Sequence, residues 1–399
     1  MQKFVLLLLA LVLLGPLGID IYLPLIPAIA QGLNSSEPLI QSTIALFILV
    51  MGLGQLVAGP LVDMYGRRPM ALAGVILYII GAAMAALAND AVVFIVSRLF
   101  QGIAVCCTAV AIFSCVRDRL NGNDAARTYG FLNGTLNIVP ALAPLLGGLL
   151  AEAFGWRAPF WFLTGYSAVI LVLIGFFLPE TRPDTTLPIR ELPLRQYARI
   201  LSNPRFLVFA LVNAGAMGMA LTYVTFSSVV LMNQAQLTPL QFSFAFGGNG
   251  FWIMLVSFFA NRIIRKAGRP VCLTMGSILM GAGFLSLLLG VALLPPHLQN
   301  SWPSYMLPVG LACAGLAFLI GPATSYALEP YSNEAGIASA MVGFIQMAGG
   351  AVLGLAAMAL PLPAKVSLAM VMLCAALLAV RARLLTRTLK GRITPLPQR

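Results

Sequence analysis

The sequence predicts an all-α polytopic membrane protein. Hydrophobic residues make up 60% of its 399 residues and charged residues only 9%, whereas an ordinary soluble domain carries about 25% charged residues. The mean hydropathy is +0.94, and a soluble fold has too little polar surface to cover so much apolar material. The composition therefore excludes most soluble enzymes, disordered chains and disulfide frameworks.

The apolar runs between turn signals predict twelve transmembrane helices, since each crossing needs about 20 apolar residues. The two least obvious breaks are marked by Asn89-Asp90 and by Pro295-Pro296. The predicted spans are 4–31, 38–62, 69–89, 91–116, 128–152, 157–179, 206–232, 240–263, 270–293, 304–328, 335–359 and 364–386.

The distribution of basic residues predicts that the N- and C-termini are both cytoplasmic. All but three of the 24 Lys and Arg residues then fall in inside segments, the exceptions being Arg98, Arg157 and Lys365. This asymmetry is the one that the positive-inside rule describes. The formal net charge of +12 is thus a topology signal, and the absence from the sequence of a basic stripe with interleaved aromatic residues argues against nucleic-acid binding.

The first span also has features of a secretory signal, because Lys3 precedes a leucine-rich stretch that ends at Ala28-Ile29-Ala30. The apolar stretch is too long for a signal peptide and contains Asp20. Its removal would leave eleven spans, which is the wrong parity for two basic ends on one side. We therefore expect it to remain as the first helix.

A polar connector divides the chain into two predicted six-helix bundles, residues 1–180 and 206–386. The connector, residues 181–205, contains several prolines and five arginines, and residues 387–399 form a cytoplasmic tail. Gly66-Arg67-Arg68-Pro69 after the second span is echoed by Gly268-Arg269-Pro270 after the eighth. Repeated halves around a central site are typical of secondary transporters.

Two ionisable residues lie inside spans, where a charge is costly and therefore functional by default. Asp20 is deep in the first span, and Arg98 is in the fourth. At 1.5 Å per residue their depths differ by about 6 Å, within reach of a direct or water-mediated pair that could act as a proton switch. The alternatives are a static pair that holds two helices together and an Asp20 locked in an interhelical hydrogen bond.

Several polar side chains are candidates for a cavity lining, although interhelical hydrogen bonding is the alternative for the amides. They are Tyr22, Asn133, Asn137, Asn213, Asn249 and Gln346. The six cysteines lack the clustered spacing of a metal site, and the sequence contains no phosphate-binding GxxxxGK[ST] loop. We expect no enzyme activity, no metal and no cofactor, with an ion gradient as the source of energy.

The string from Gly59 to Arg68, GPLVDMYGRR, resembles the loop 2–3 signature of the major facilitator superfamily, G-x-L-x-D-R-x-G-R-R/K, except for Met64. We expect Asp63 to sit at a helix N-terminus, where the dipole favours an anion. The resemblance implies a conformational latch that closes the cytoplasmic side. Its members would be Asp63, Gly66, Arg67, Arg68 and Asp118, with Arg67 paired to Asp118. A topology role for the arginines alone is the alternative.

Three further strings resemble motifs of the twelve-helix drug:proton antiporters of the Bcr/CflA branch. DIYLP, which starts at Asp20, resembles a first-helix motif whose acid binds protons and often substrate. RLFQG, which starts at Arg98, resembles a fourth-helix motif associated with proton coupling. Pro144, Gly147 and Gly148 match the fifth-helix antiporter motif, with Ala143 replacing its usual glycine.

The resemblance implies a monomeric, proton-coupled antiporter that exports drug-like amphipathic solutes across the bacterial inner membrane by alternating access. Val12 and Leu13 are apolar where some multidrug relatives carry a second acid, which favours neutral or zwitterionic, amphenicol-like solutes over bulky cations. One alternative is a proton-coupled exporter of an endogenous metabolite, such as a siderophore, a nucleoside or an amino-acid derivative. Another is a membrane sensor or scaffold that kept the fold without transport.

Overall fold

A computed structural model describes residues 2–120, 128, 132, 139–183 and 193–391. These residues form helices joined by short turns, and they contain no strand. The helices are α1 (Gln2–Val12), α2 (Leu14–Asp20), α3 (Ile26–Gly32), α4 (Glu37–Tyr65), α5 (Arg67–Leu87), α6 (Ala91–Arg119), α7 (Val139–Phe154), α8 (Ala158–Phe177), α9 (Leu194–Leu201), α10 (Pro204–Ser228), α11 (Pro239–Ala267), α12 (Arg269–Leu293), α13 (Pro296–Gln299), α14 (Trp302–Leu328), α15 (Ala335–Ala359) and α16 (Ala364–Gly391).

Eleven helical stretches within the described ranges are long and apolar enough to cross a membrane. They correspond to eleven of the twelve predicted spans. The remaining predicted span, 128–152, is represented by α7, and most of its first part lies outside the described residues. Large apolar side chains such as Phe176 and Leu307 are 81% and 68% exposed, as expected for groups that face lipid. The chain is a multi-pass membrane protein.

The first predicted span is helical but broken twice, at Leu13 and again after Asp20. α2 ends at Asp20, and the short 3₁₀ turn Leu23–Leu25 leads into α3. Pro24 occupies this turn, and proline cannot donate the backbone hydrogen bond that a continuous helix requires. The first span is therefore interrupted directly after Asp20.

The described chain divides into two compact units, Met1–Pro193 with Val224–Met254, and Leu194–Tyr223 with Leu255–Arg399. In the first unit, α5 packs against α6 and α8, and in the second unit α12 packs against α14 and α16. The helix that follows the Gly-Arg turn is thus central in each unit, in agreement with the internal repeat. The bundle boundaries 1–180 and 206–386 stay predictions.

The predicted connector, residues 181–205, contains a helix that the sequence analysis did not predict. α9 covers Leu194–Leu201, with Tyr197 and Ile200 buried and its two arginines exposed. Residues 184–192 of the connector, and the tail beyond Gly391, lie outside the described part of the chain.

A sharp turn at Gly66 joins α4 to α5. Gly66 has φ 101° and ψ 162°, a region that is essentially restricted to glycine. Gly268, before α12, adopts nearly the same conformation, with φ 84° and ψ 165°. The two Gly-Arg turns recognised in the sequence therefore share one backbone geometry.

Replacing Gly66 by alanine should destabilise the protein. The added Cβ would lie 2.5 Å from Glu180 Oε2, and an alanine in this backbone region costs on the order of 1–3 kcal/mol. Gly59→Ala is the matched control, because a Cβ there meets nothing within 4 Å and alanine is the better helix former. Thermal unfolding in detergent should show a lower midpoint for Gly66→Ala only. Equal midpoints for the two variants would show that an alanine is not strained in the backbone conformation of Gly66.

Candidate functional site

The break in the first span places Asp20 at the end of α2. Its carboxyl side chain belongs to a residue only 4% exposed. The N–H of Ile21 still donates to the Leu17 carbonyl, but the helix does not continue. None of the described residues makes an ion pair or a hydrogen bond with the Asp20 carboxyl group. With no partner among the described residues, this buried acid can bind and release a proton or a ligand.

Arg98 lies on α6 and is completely buried beside this break. Its Nη2 donates to the Gly18 carbonyl at 2.6 Å, and its Nη1 donates to Gln101 Oε1. The guanidinium carbon is 4.7 Å from the ring centres of both Tyr22 and Phe47, a cation–π arrangement that favours a desolvated cation. Arg98 is therefore held as a cation against the carbonyl of Gly18, which lies two residues before Asp20 in the chain.

Asp20 and Arg98 are brought to one place, but they do not form a direct ion pair. Instead, Arg98 Nε and Gln101 Nε2 are buried without acceptors. No hydrogen bond to the Asp20 carboxyl group is found among the described residues. Leaving such buried groups unpaired costs free energy. The site thus contains unpaired donors on Arg98 and Gln101 beside the carboxyl group of Asp20, which can accept hydrogen bonds.

Aromatic and hydroxyl side chains pack around the break. Tyr22 is fully buried, and its hydroxyl shares a 2.9 Å hydrogen bond with Thr43 Oγ1. Its ring contacts Phe94 and Phe160. Tyr78 donates to the Leu14 carbonyl at 2.9 Å, satisfying an acceptor near the first break. Tyr22 is thus a packing partner of Arg98, and its assignment to a cavity lining stays a prediction.

The fifth-helix motif contacts the break directly. Gly147 of α7 lies against Ile21, and any Cβ at this position would overlap the Ile21 carbonyl oxygen. The Pro144 carbonyl accepts a 3.0 Å hydrogen bond from the Ser243 hydroxyl of α11. Small residues allow this close helix approach, so the motif sets the position of the backbone that follows Asp20.

The predicted latch residues lie together at the α4–α5 turn. Arg67 is 1% exposed and pairs with Asp118, whose Oδ2 lies 2.6 Å from its Nε. Arg67 Nη1 is 3.1 Å from Asp63 Oδ1. The predicted pairing of Arg67 with Asp118 is confirmed. Arg68 lies beside this group, and its guanidinium donates to the Gly175 carbonyl at 2.6 Å.

One expectation about the latch is wrong: Asp63 does not sit at a helix N-terminus. It lies in the last turn of α4, and Glu180 binds the start of α5 instead. The backbone N–H groups of Arg67 and Arg68 donate to the two oxygens of Glu180 at 3.0 and 3.1 Å. The string Pro179-Glu180-Thr181-Arg182 ends the sixth span, and only its position in three dimensions reveals this second role.

The environment of Glu180 favours its charged form. Burial alone raises the pKa of Glu180, but backbone N–H groups of Arg182, Arg67, Arg68 and Thr181 donate to it and bring the pKa below its ordinary value. Arg182 adds a 2.9 Å hydrogen bond from its guanidinium to the Met64 carbonyl. The segment after α8 therefore binds both sides of the turn: Glu180 contacts the start of α5, and Arg182 contacts the end of α4.

In the second unit, the turn at Gly268 carries a related charge cluster. Arg269 contacts Glu329 and Ser325, each at 3.0 Å, and Arg205 also pairs with Glu329. Arg269 lies over the ring of Tyr326, with 4.1 Å to its centre. An arginine that reaches an acid at the end of a neighbouring helix is common to both units.

The predicted amide candidates lie in different surroundings. Asn213 is buried and donates to Thr324 Oγ1 at 2.8 Å, while its Oδ1 has no partner among the described residues. Asn249 is also buried, and Gln346 is half-buried. Asn133 and Asn137 lie outside the described residues. The positions of the described amides do not assign them to one cavity, and the role of all five stays a prediction.

The comparison with protein families decides the classification. The Major Facilitator Superfamily matches residues 8–354. The chain belongs to this superfamily. The motifs also favour MdtL-type exporters within it, and this resemblance is confirmed: the chain is 33% identical over 366 residues to "Multidrug resistance protein MdtL" of Klebsiella pneumoniae subsp. pneumoniae, covering 90% of this chain and 91% of that protein. A Citrobacter koseri protein of the same name is 32% identical over 352 residues, with 88% and 87% covered.

Solved structures of the superfamily share the fold. A POT family transporter in complex with a thioalcohol-conjugated peptide has a TM-score of 0.77 at 14% identity, with 98% of this chain and 96% of that chain covered. The human organic anion transporter MFSD10 (TETRAN) has a TM-score of 0.62 at 18% identity, with 95% and 99% covered. The major facilitator fold expected from the loop 2–3 signature is therefore confirmed.

The charged form of Glu180 should stabilise the fold at neutral pH. A carboxyl group whose folded pKa is lowered contributes stability above its unfolded pKa of about 4.3 and loses it as the pH falls through the folded value. Glu180→Gln should therefore cost about 1 kcal/mol near pH 7, a typical value for a lost helix cap. The difference from the wild type should shrink below about pH 4.

Thermal unfolding of both proteins in detergent across this pH range measures the effect. Glu152→Gln is the control, because Glu152 is exposed on α7 and its charge should not change the unfolding midpoint in the same way. A pH-independent difference for Glu180→Gln would show that the packing of the side chain, not its charge, stabilises the turn.

Proposed function

We propose that this protein is a proton-coupled antiporter that exports drug-like amphipathic solutes across the bacterial inner membrane by alternating access. The observation that carries the proposal is the buried Asp20 at a helix break beside Arg98, with no partner for its carboxyl group among the described residues. Membership of a transporter superfamily and the similarity to multidrug resistance proteins support it. The basic residues support cytoplasmic termini through the positive-inside rule.

Two protonation states of Asp20 would use the site differently. A protonated carboxyl group is neutral and tolerates a buried place without a partner. A carboxylate in the membrane is costly unless compensated, by about 2.5–3.5 kcal/mol on insertion scales. The free Nε of Arg98 and Nε2 of Gln101 are donors that such a carboxylate can recruit. Loss of the proton would therefore pull α2 toward α6.

This movement would be transmitted through the backbone that follows Asp20. Ile21 packs against Gly147 of α7, and the Gly18 carbonyl already accepts from Arg98. A shift of the break would therefore act on α6 through the Gly18–Arg98 hydrogen bond and on α7 through the contact between Ile21 and Gly147. Proton release and helix rearrangement are thus coupled by packing.

The solute would bind near the same carboxyl group, which explains exchange for protons. Only one acid lies deep in the spans, since the places of a second acid are taken by Val12 and Leu13. A site with one titratable charge suits neutral or zwitterionic amphipathic solutes better than bulky cations. The protein would act as a monomer and need no cofactor, because the proton gradient supplies the energy.

Asp20→Asn should abolish gradient-driven export while leaving expression and folding intact, since asparagine mimics the protonated acid. Transport of a chemically broad panel that includes amphenicols and candidate metabolites, measured in inverted vesicles with and without a proton gradient, tests this. Export at the wild-type rate in the variant would refute the assignment. A panel in which only a metabolite is exported would favour the endogenous exporter.

The control for coupling is Arg98→Lys, which keeps the charge. Lysine lacks the planar fork that reaches the Gly18 carbonyl and Gln101 together, so it should restore only part of the export lost in Arg98→Ala. Full restoration by lysine would mean that the charge alone matters and that the hydrogen bonds at the break do not.

Asp63→Asn should shift the transporter toward inward-facing states if the latch closes the cytoplasmic side. A partly exposed pair contributes about 0.2–1 kcal/mol, which corresponds to a population change of up to about fivefold. Transport should fall, while equilibrium binding of solute from the cytoplasmic side persists. Reactivity of single cysteines introduced at the cytoplasmic ends of α4 and α15 should rise.

Asp63→Glu keeps the charge and is the matched control for this experiment. It should restore cysteine reactivity most of the way to the wild-type level. If binding disappears in Asp63→Asn while cysteine reactivity is unchanged, Asp63 belongs to the binding site or to folding, and the latch is wrong.

A further inference from the structure

The seventh predicted span ends in a π-helical turn. α10 ends at Ser228, and the π turn Val229–Gln234 follows it directly. The N–H of Ala235 donates to the Val230 carbonyl at 3.0 Å, which is the i→i+5 bond of such a turn. Each hydrogen-bonded loop of a π turn contains one residue more than that of an α-helix. Single π turns are rare, and they are frequent at functional sites.

Two side-chain hydrogen bonds join this region to α4. Gln41 Nε2 donates to the Ser228 hydroxyl at 3.3 Å, and both residues are buried. Asn233 Nδ2, within the π turn, donates to Glu37 Oε2 at 2.8 Å at the exposed end of the contact. The segment Val224–Met254 accordingly belongs to the same compact unit as α4.

The π turn allows both bonds to form at once. Ser228 and Asn233 are five residues apart, whereas their partners Gln41 and Glu37 are four residues apart. In an α-helix, a residue five positions further along points about 140° away from the first, so Asn233 would turn away from α4. A π turn brings residues five apart nearly into line, because its hydrogen bonds run from i to i+5. The extra residue therefore matches the end of α10 to α4.

A third hydrogen bond holds the helix that follows. The chain reverses at Gln236, which has φ 55°, and α11 begins at Pro239. The Ser243 hydroxyl of α11 donates to the Pro144 carbonyl of α7. The hairpin is thus held by α4 at the end of α10 and by α7 at the start of α11.

The contact between α4 and α10 and the predicted latch lie at opposite faces of the membrane. Glu37 begins α4 and Asp63 lies in its last turn, so they are about 39 Å apart along the helix axis. The hydrocarbon core of a bilayer is about 30 Å thick. With the latch on the cytoplasmic side, this contact lies on the outer side.

We propose that Glu37, Gln41, Ser228 and Asn233 form an outer gate whose hinge is the π turn. The gate is closed while the turn is π-helical, because both bonds to α4 form. Conversion of the turn to an α-helix exchanges i→i+5 for i→i+4 backbone bonds, rotates Asn233 away from Glu37 and opens the gate. The proposal rests on the alternating access proposed above, but its residues lie apart from the proton-coupling pair.

The gate is tested by the reactivity of one buried position, Thr225, which lies one helical turn before Ser228. A membrane-impermeant maleimide is added outside intact cells that express the full chain with Thr225→Cys, and the chain that retains Thr225 gives the background. Glu37→Ala and Gln41→Leu should each raise the reaction rate about two- to tenfold, the population change for one lost hydrogen bond. Unchanged rates in both would overturn the gate.

Two conservative variants are the matched controls. Glu37→Gln keeps an acceptor oxygen for Asn233, and Ser42→Ala removes a hydroxyl that donates to the Leu39 carbonyl of its own helix. Each should change the rate less than about twofold, below the effect of one lost hydrogen bond. An increase in Ser42→Ala as large as in Gln41→Leu would mean that any change at the start of α4 exposes Thr225→Cys, which contradicts a defined gate.

Two deletions test the π turn itself. Deletion of Met232 places Asn233 four positions after Ser228, so an ordinary α-helix keeps both side chains toward α4, and the gate should stay closed. Deletion of Gln234 shortens the turn equally but leaves the two residues five positions apart, so an α-helix should open the gate. The rate should stay at or below that of the parent chain after the first deletion and rise about two- to tenfold after the second.

A rise of the same size in both deletions would show that only the length of the turn matters, which would refute its role as the hinge. The substitutions in α4 leave the turn intact, so they test the gate even where a deletion prevents folding. The reaction needs neither solute nor a proton gradient. Wild-type export in Asp20→Asn would refute proton coupling without altering these rates, whereas unchanged rates in Glu37→Ala and Gln41→Leu beside a loss of export in Asp20→Asn would refute the gate alone.

Discussion

The fold of the first unit depends on the burial of one cation. Arg98 is completely enclosed, and none of the described residues offers it a carboxylate within ion-pair distance. Its charge is stabilised by the Gly18 carbonyl, by the Gln101 side chain and by two aromatic rings. The Gly18 carbonyl lies in the last turn of α2, where the helix ends and leaves carbonyl groups without backbone partners. The broken first span and the buried arginine therefore stabilise each other.

Much of the fold was predictable, because hydropathy and positive charge act on every residue of a membrane protein. Eleven of the twelve predicted spans agree with the described helices to within a few residues, and the pairing of Arg67 with Asp118 followed from the motif. The helix α9 was not predicted, since it covers eight residues within a connector whose prolines and arginines dominate the pattern. Local polarity does not reveal a helix that is stabilised by only two buried side chains.

The site was predictable in its residues but not in its contacts. Asp20 and Arg98 stood out as charges in apolar spans. The prediction of a direct or water-mediated pair could not anticipate that the Arg98 guanidinium donates to the Gly18 carbonyl and to Gln101. Glu180 directly follows the sixth predicted span, and its contacts were not predicted. Its partners are 113 and 112 residues away in sequence, and no periodicity within one helix encodes such a contact.

The hydrogen bonds of Glu180 and Arg182 to the α4–α5 turn determine which side chains of the turn can vary over evolution. Glu180 binds backbone N–H groups, and Arg182 binds the backbone carbonyl of Met64. Neither contact depends on which side chain the turn carries at those positions. Met64 can therefore replace the arginine of the superfamily signature without breaking these contacts. The side chains at this part of the turn can change during evolution while the backbone geometry of the turn is kept.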